Sequence, residues 1–217
     1  MTTSALPRHS REMAIVHRAF RRESRLLAEM TAQVAPGDTA RARVLVAHFR
    51  DYKIGLHSHH TGEDELMWPP LLARADLESA LIHQMEDQHE RVAASLDAAT
   101  AAADGWESSA STAGRDAFVA ALAEHRAVLI EHLDDEERML LPVAERHLTE
   151  AEWAALGEHF VESNPKTKLL IFLGMVLEDA DESERELMLS GLPGPAKVVW
   201  SAIGKPLYAR RVHKVRG

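Results

Sequence analysis

At 217 residues the chain is long enough to bury a substantial core, and its net charge of −9 argues against general nucleic-acid binding. It contains no cysteine, which excludes disulfides, thiolate metal sites and cysteine nucleophiles, so any transition metal must be held by imidazole and carboxylate. That donor set suits iron, manganese or zinc. The opening MTTSALPRHS is polar and lacks the apolar stretch of a signal peptide. The longest apolar run, LLIFLGMVL at 169–177, is about half a membrane span. The expectation is a soluble, cytoplasmic protein without a transmembrane segment.

Four long segments carry helical periodicity. The first runs from Arg8 to Val34, with Met13, Val16, His17, Phe20 and Leu27 on one stripe. APGDT at 35–39 ends it and offers an N-cap for the next. The second runs from Arg41 to about Leu72, its inner face carrying Leu45, Phe49, Tyr52, Leu56, His59, Glu63 and Met67. The third, Asp76 to Ala103, has Leu81, Met85, His89, Val92 and Leu96 in line. A polar loop, DGWESSASTAG at 104–114, leads to the fourth, Arg115 to His147, with Phe118, Leu122, His125, Leu129, His132, Glu136 and Met139.

No alternating β pattern competes, and short links between long amphipathic helices predict an all-α fold, an antiparallel four-helix bundle over residues 8–148. Beyond it, Thr149 and Glu152 in TEAEW form a capping box that opens a fifth helix. Asn164-Pro165 breaks the chain before an apolar helix over 166–178, and an acidic turn and GLPGP lead into a basic end. Residues 149–217 are expected to form a helical extension packed on the bundle. From Pro195 to Gly217 there are six basic residues and no acid, which reads as a basic surface helix or as a weak contact with an anionic surface.

Each of the four stripes contains a histidine: His17, His59, His89 and His132. Glu63 and Glu136 each follow a stripe histidine by four residues, which puts imidazole and carboxylate on one helix face. The match is wider than two residues. HHTGEDELMWP from His59 and HLDDEERMLLP from His132 share His, Glu at +4, an acid at +5, apolar residues at +8 and +9, and Pro at +10. Four imidazoles and two carboxylates buried without partners would cost many kcal/mol, and metal coordination satisfies them together. Two carboxylates able to bridge and nitrogen ligands on either side are the inventory of a di-metal site.

At these residues the sequence resembles the hemerythrin-like (HHE cation-binding) family, over roughly 8–148, and LTEAEWAALGEHF after the bundle is similar to longer bacterial members. The resemblance implies that His17, His59, Glu63, His89, His132 and Glu136 ligate two iron ions per chain. That centre would be non-haem, bridged by the two glutamates and an oxo or hydroxo group. Oxygen-carrying members have H-x-x-x-H on the third helix, and Met85 stands at the first of those positions. His83 is turned about 120° away from His89, so Glu86, three residues before His89, is the candidate substitute. His60, beside His59, is a candidate additional ligand or a hydrogen-bonding neighbour of the site; some iron-sensing members carry an extra carboxylate at that step.

Oxygen carriers use an acid at +5 on the fourth helix, here Glu137, whereas periodicity favours Glu136. Tyr52 is expected to be a core aromatic with its hydroxyl reaching the site. His48 and His125 are expected at a bundle end, and His57, Asp64 and Glu65 facing away or supporting the ligands. Gly62 either gives room beside the metals or is merely tolerated. The implied function is binding of oxygen, nitric oxide or peroxide for sensing, handling or detoxification. Alternatives are a peroxide-consuming, catalase-like enzyme and an iron-storage or iron-sensing protein.

Overall fold

The computed structural model describes residues 6–217, and every regular element among them is a helix. The polar start of the chain, up to residue 5, lies outside the described residues. The first long helix, α1 (Arg8–Ala32), is followed by a turn in which Asp38 caps α2 (Thr39–Leu66), its carboxylate accepting from the Arg41 N–H at 2.9 Å. A short α3 (Trp68–Arg74) and a 3₁₀ turn at 76–78 lead to α4 (Ser79–Glu107). Next come α5 (Thr112–Asp135), a π turn (Glu136–Leu140) and α6 (Leu141–His147). Helix α1 packs on α2 and α5, and α4 packs on the same two, so the four long helices close a square. The Gly37 N–H donates to the Ala110 carbonyl at 2.9 Å, which places the α1–α2 and α4–α5 turns at one end, as an antiparallel bundle requires.

The second and fourth helices do not run unbroken to Leu72 and His147. Both are interrupted at corresponding points. A proline has no N–H and its ring crowds the carbonyl four residues earlier, so Pro69 and Pro142 sit in the first turns of α3 and α6, where that defect is tolerated. Helix α2 stops at Met67 to meet this demand, while α5 widens into a π turn. The polar loop at 104–114 is shorter than its composition suggests. Helix α4 continues through DGW because Trp106 is fully buried, its ring 5.7 Å from that of Phe118. Ser111 then caps α5, accepting from the Gly114 N–H at 3.1 Å.

The extension begins with the capping box of Thr149 and Glu152, both arms of which form, at the start of α7 (Glu150–Ser163). Helix α7 lies on α2, and Gly62 is where they meet. A Cβ there would come within 3.2 Å of the His159 ring, so this glycine makes room for α7. Helices α8 (Lys166–Leu177), α9 (Glu182–Ser190) and α10 (Gly194–Val199), a π turn (Trp200–Gly204) and α11 (Lys205–Arg216) complete the chain. Helix α8 packs on α1 and α11 on α2. No helix among the described residues is long and apolar enough to cross a membrane.

Two apolar clusters fill the bundle. One is built around Phe49, Leu45, Leu96 and Phe118, the other around Trp68, Ile82, Met85 and Leu140. The buried polar residues that follow lie on the helices between them.

Candidate metal centre

Helix α1 contributes His17; α2 contributes His59, His60 and Glu63; α4 contributes His89; and α5 with its π turn contributes His132 and Glu136. All are buried except His59, which is almost so. They form two groups of potential ligand atoms, each within 4.8 Å of one another: His60, His89 and His132 in one, His17, His59 and Glu63 in the other. The carboxylates connect the groups. Glu63 reaches His59 Nε2 at 3.3 Å with one oxygen and His89 Nε2 at 3.5 Å with the other. Glu136 Oε2 lies 3.4 Å from His17 Nε2 and 3.6 Å from His132 Nε2.

These contacts have ion-pair distances without hydrogen-bond geometry. Seven buried atoms of this cluster have no hydrogen-bond partner: Nε2 of His60, His89 and His132, and both oxygens of Glu63 and of Glu136. Each such group costs about 1–3 kcal/mol when left unsatisfied. Burial, with the neighbouring charges of Glu136 and Asp64, pushes the Glu63 carboxyl well above the ordinary carboxylate range, and burial raises Glu136 as well. Burial and the surrounding imidazoles push His59, His60 and His132 down. The imidazoles are therefore held neutral with their Nε2 lone pairs free, the carboxyls resist carrying uncompensated charge, and a cation is the partner that relieves both.

The far nitrogens carry the same message. His17 Nδ1–H donates to Glu137 at 3.0 Å, and His89 Nδ1–H donates to Asp64 at 2.6 Å. His132 Nδ1 faces the amide oxygen of Gln88 at 3.3 Å, and Gln88 is itself held by Asp135 at 2.9 Å. Acceptor-only partners require the proton on Nδ1, which leaves the Nε2 lone pair pointing inward, as a metal-ligating imidazole needs. Burial works to raise Asp64, but hydrogen bonds from His89 and from Trp68 (2.8 Å) outweigh it and hold that carboxyl below its usual value.

A family model described as the hemerythrin HHE cation-binding domain matches residues 9–144. The chain belongs to this family. No curated protein and no solved structure matches it. The hemerythrin-family region ends within α6 and includes every residue of the two ligand groups together with Glu136. The donor set and its orphaned atoms fit the cation binding for which the family is described.

Of the eight expected site residues, this hemerythrin-type bundle brings seven together and leaves Glu86 outside. Its side chain is half-exposed on the rim of the neighbouring groove and accepts from His83 at 2.6 Å. The space beside His89 is taken instead by His60, whose ring stacks on that of His89 with centroids 4.2 Å apart and lies 4.9 Å from that of His132. Met85 packs in the apolar cluster beneath. The Tyr52 hydroxyl does not reach the site. It bonds His125 Nε2 at 2.7 Å, and Ser95 holds the other nitrogen at 2.9 Å. Burial lowers His125 to about 4, so it sits there neutral.

Helical spacing gives no sign of Gln88, and it leaves the supporting roles of Asp64 and Glu137 open. Asp64 and Trp68 are four apart, a spacing that signals their hydrogen bond, but nothing in one helix reports that His89 of α4 lies alongside. Glu137 reaches His17 from the π turn, whose wider winding invalidates a simple helical wheel. A groove of about 310 Å³ between α2 and α4, lined by His57, Asp64, Trp68 and Glu86, leads to His60 and His89. The His59 side is covered by Met13, Leu156 and Phe160, with a cavity of only about 40 Å³.

Proposed function

We propose that the bundle holds two iron ions and presents them to a small ligand, either oxygen, nitric oxide or peroxide, in a cytoplasmic sensing or detoxifying role. His17 and His59 would ligate one ion, and His60, His89 and His132 the other, with Glu63 and Glu136 bridging. The observation that carries this reading is the pair of carboxylates, each with oxygens facing histidines of both groups. Bound iron would supply the redox change and an open coordination position.

The chain's own residues supply the rest. Phe20, with its ring 5.3 Å from that of His59, together with Met67 and Met85, keeps water from the buried side. The groove along Trp68 opens to the His60 and His89 side and gives a ligand its approach. Asp64 and Glu137 hold His89 and His17 in one tautomer and raise their donor strength. Two anionic supports favour the ferric state, and that observation favours peroxide consumption as the second reading.

The test is iron quantitation on anaerobically loaded protein, followed by optical spectra with oxygen, nitric oxide and peroxide in parallel. About two irons per chain and a ligand-specific spectral change are expected. A reversible change with oxygen supports carriage or sensing, and oxygen release from peroxide supports the enzyme. Well under one metal per chain overturns the proposal.

A further inference from the structure

The last two helices, α10 and α11, present two unlike faces. Inward, Trp200, Gly204, Tyr208, Arg211 and Val215 recur at helical spacing. Trp200 packs among Leu170, Leu173 and Met188, and Arg211 pairs with Asp51 at 2.7 Å. Gly204 lets the π turn close, since a Cβ there would lie 2.2 Å from the Trp200 ring. One position earlier at each step stand Val199, Ile203, Leu207, Arg210 and Lys214, turned about 100° around the helix and away from the bundle.

That outer face is both apolar and basic. Val198 is 67% exposed, Val199 42%, Ile203 54% and Leu207 37%. Of the seven large apolar residues exposed among the described residues, four fall in this single stretch, so the exposure is concentrated and not scattered. Lys197, Lys205, Arg210 and Lys214 are exposed around it and have no ion-pair partner among the described residues. Arg211 and Arg216, by contrast, are engaged by Asp51, Glu23 and Glu178. No acid occurs from Pro195 onward, although the whole chain carries −9.

We propose that this face docks on an anionic lipid surface, with the helices lying in the plane of the headgroups. The apolar residues are all aliphatic and sit on a convex helix surface. Such a ridge suits insertion between acyl chains better than it suits seating a partner's aromatic anchor. The basic residues stand on long flexible stems whose ends reach headgroup phosphates while the aliphatic side chains go deeper. Charge makes the contact directional. The acidic remainder of the chain is repelled by the same surface, so only this edge approaches it. The contact is independent of the metal site and does not rest on the function proposed above.

The test uses the full-length protein and vesicles of phosphatidylcholine, alone or with about a third phosphatidylglycerol, with bound protein measured by co-sedimentation. Binding is expected only to the anionic vesicles, and it should weaken as salt rises, because the basic contribution is screened. Replacing Lys205→Glu and Lys214→Glu should reduce binding by at least about fivefold per residue. The pair Ile203→Ser and Leu207→Ser should reduce it while leaving the circular dichroism and thermal midpoint unchanged, since both residues are exposed. Four results overturn the proposal: absence of binding to anionic vesicles, equal binding to neutral ones, full binding by both variant pairs, and a self-association of the protein that the serine pair abolishes. The first of these, together with retention by polyglutamate, assigns the face to an acidic polypeptide.

Discussion

Two clusters of charged and polar groups are buried in this protein, and they are built on opposite plans. At the junction of bundle and extension, Glu23 is 1% exposed yet accepts from His48 at 2.8 Å, Arg22 at 2.8 Å and Arg216 at 3.2 Å. Nearby Asp51 pairs with Lys168 and Arg211, both at 2.7 Å. No side-chain atom of Glu23, Arg22, His48 or Asp51 is left buried without a partner, and of the groups that pair with them only Arg211 Nε lacks one. In the bundle core, by contrast, Glu63 and Glu136 leave all four oxygens unsatisfied. A polar cluster that serves the fold closes on itself, and one that serves a ligand keeps its lone pairs free. Burial acts alike on both carboxylate types, and the partners reverse the outcome. Burial works to raise Glu23, but His48 and Arg22 outweigh it and hold that carboxyl at about 2, whereas Glu63 is driven upward.

The largest effect should come from breaking the closed cluster. Glu23→Ala takes one carboxylate from buried Arg22 and half-buried Arg216, which keep Glu178, and takes from buried His48 the acceptor of its Nε2, and is expected to destabilise the protein by about 3–5 kcal/mol in urea denaturation. A loss under about 1 kcal/mol would show that water enters the junction freely.

Acid should separate the two plans next. Glu23 has a folded pKa of about 2 against an ordinary 4.5, so its contribution is complete above 4.5 and is lost as pH falls through about 2. That contribution is on the order of 3 kcal/mol. Glu63 and Glu136 have raised values, so in metal-free protein they contribute below 4.5, and the contribution is lost as pH rises through their elevated pKa. In the metal-free protein Glu23→Gln should therefore lower stability near neutral pH and remove the loss seen on acidification. If the variant keeps the wild-type acid limb, Glu23 is not its source.

The open cluster should respond in the other direction. Glu63→Met with Glu136→Met should abolish metal binding while stabilising metal-free protein by about 1–3 kcal/mol per carboxylate, because orphaned oxygens are replaced by apolar atoms. Thermal denaturation with and without metal checks both halves, and a destabilised metal-free variant would contradict the contrast.

The smallest effect is expected at a support. Asp64→Asn can still accept from His89 but loses the charge, and metal affinity should fall about 10–100-fold with little change in the fold. Metal titration of the purified variant measures it, and an unchanged affinity would remove Asp64 from the support of His89.

His59 with Glu63 and His132 with Glu136 were readable because four residues is a contact distance within a helix, and the repeated proline at +10 marked the two halves as equivalent. The same local rule placed the capping box at Thr149 and the helical character of all four stripes. That His60 joins the cluster and Glu86 does not was not readable. A helical wheel reports direction around its own axis, and both residues point near the seam between α2 and α4. Only the packing of the helices turns one inward and the other to solvent. For the same reason Asp64 stays open between facing away and supporting a ligand until α4 is set beside it.

What the sequence by itself determined is therefore what propagates through neighbours along the chain: helices, caps, breaks at prolines and the register of histidine with glutamate. What only the tertiary structure decided is which faces meet. It seats His159 against Gly62, closes Arg216 onto Glu23, and brings carboxylates from two helices between histidines from four. Those pairings depend on helix rotation and on one-residue changes of winding at the π turns. Such changes move a side chain by a large fraction of a turn while leaving the hydrophobic pattern almost untouched.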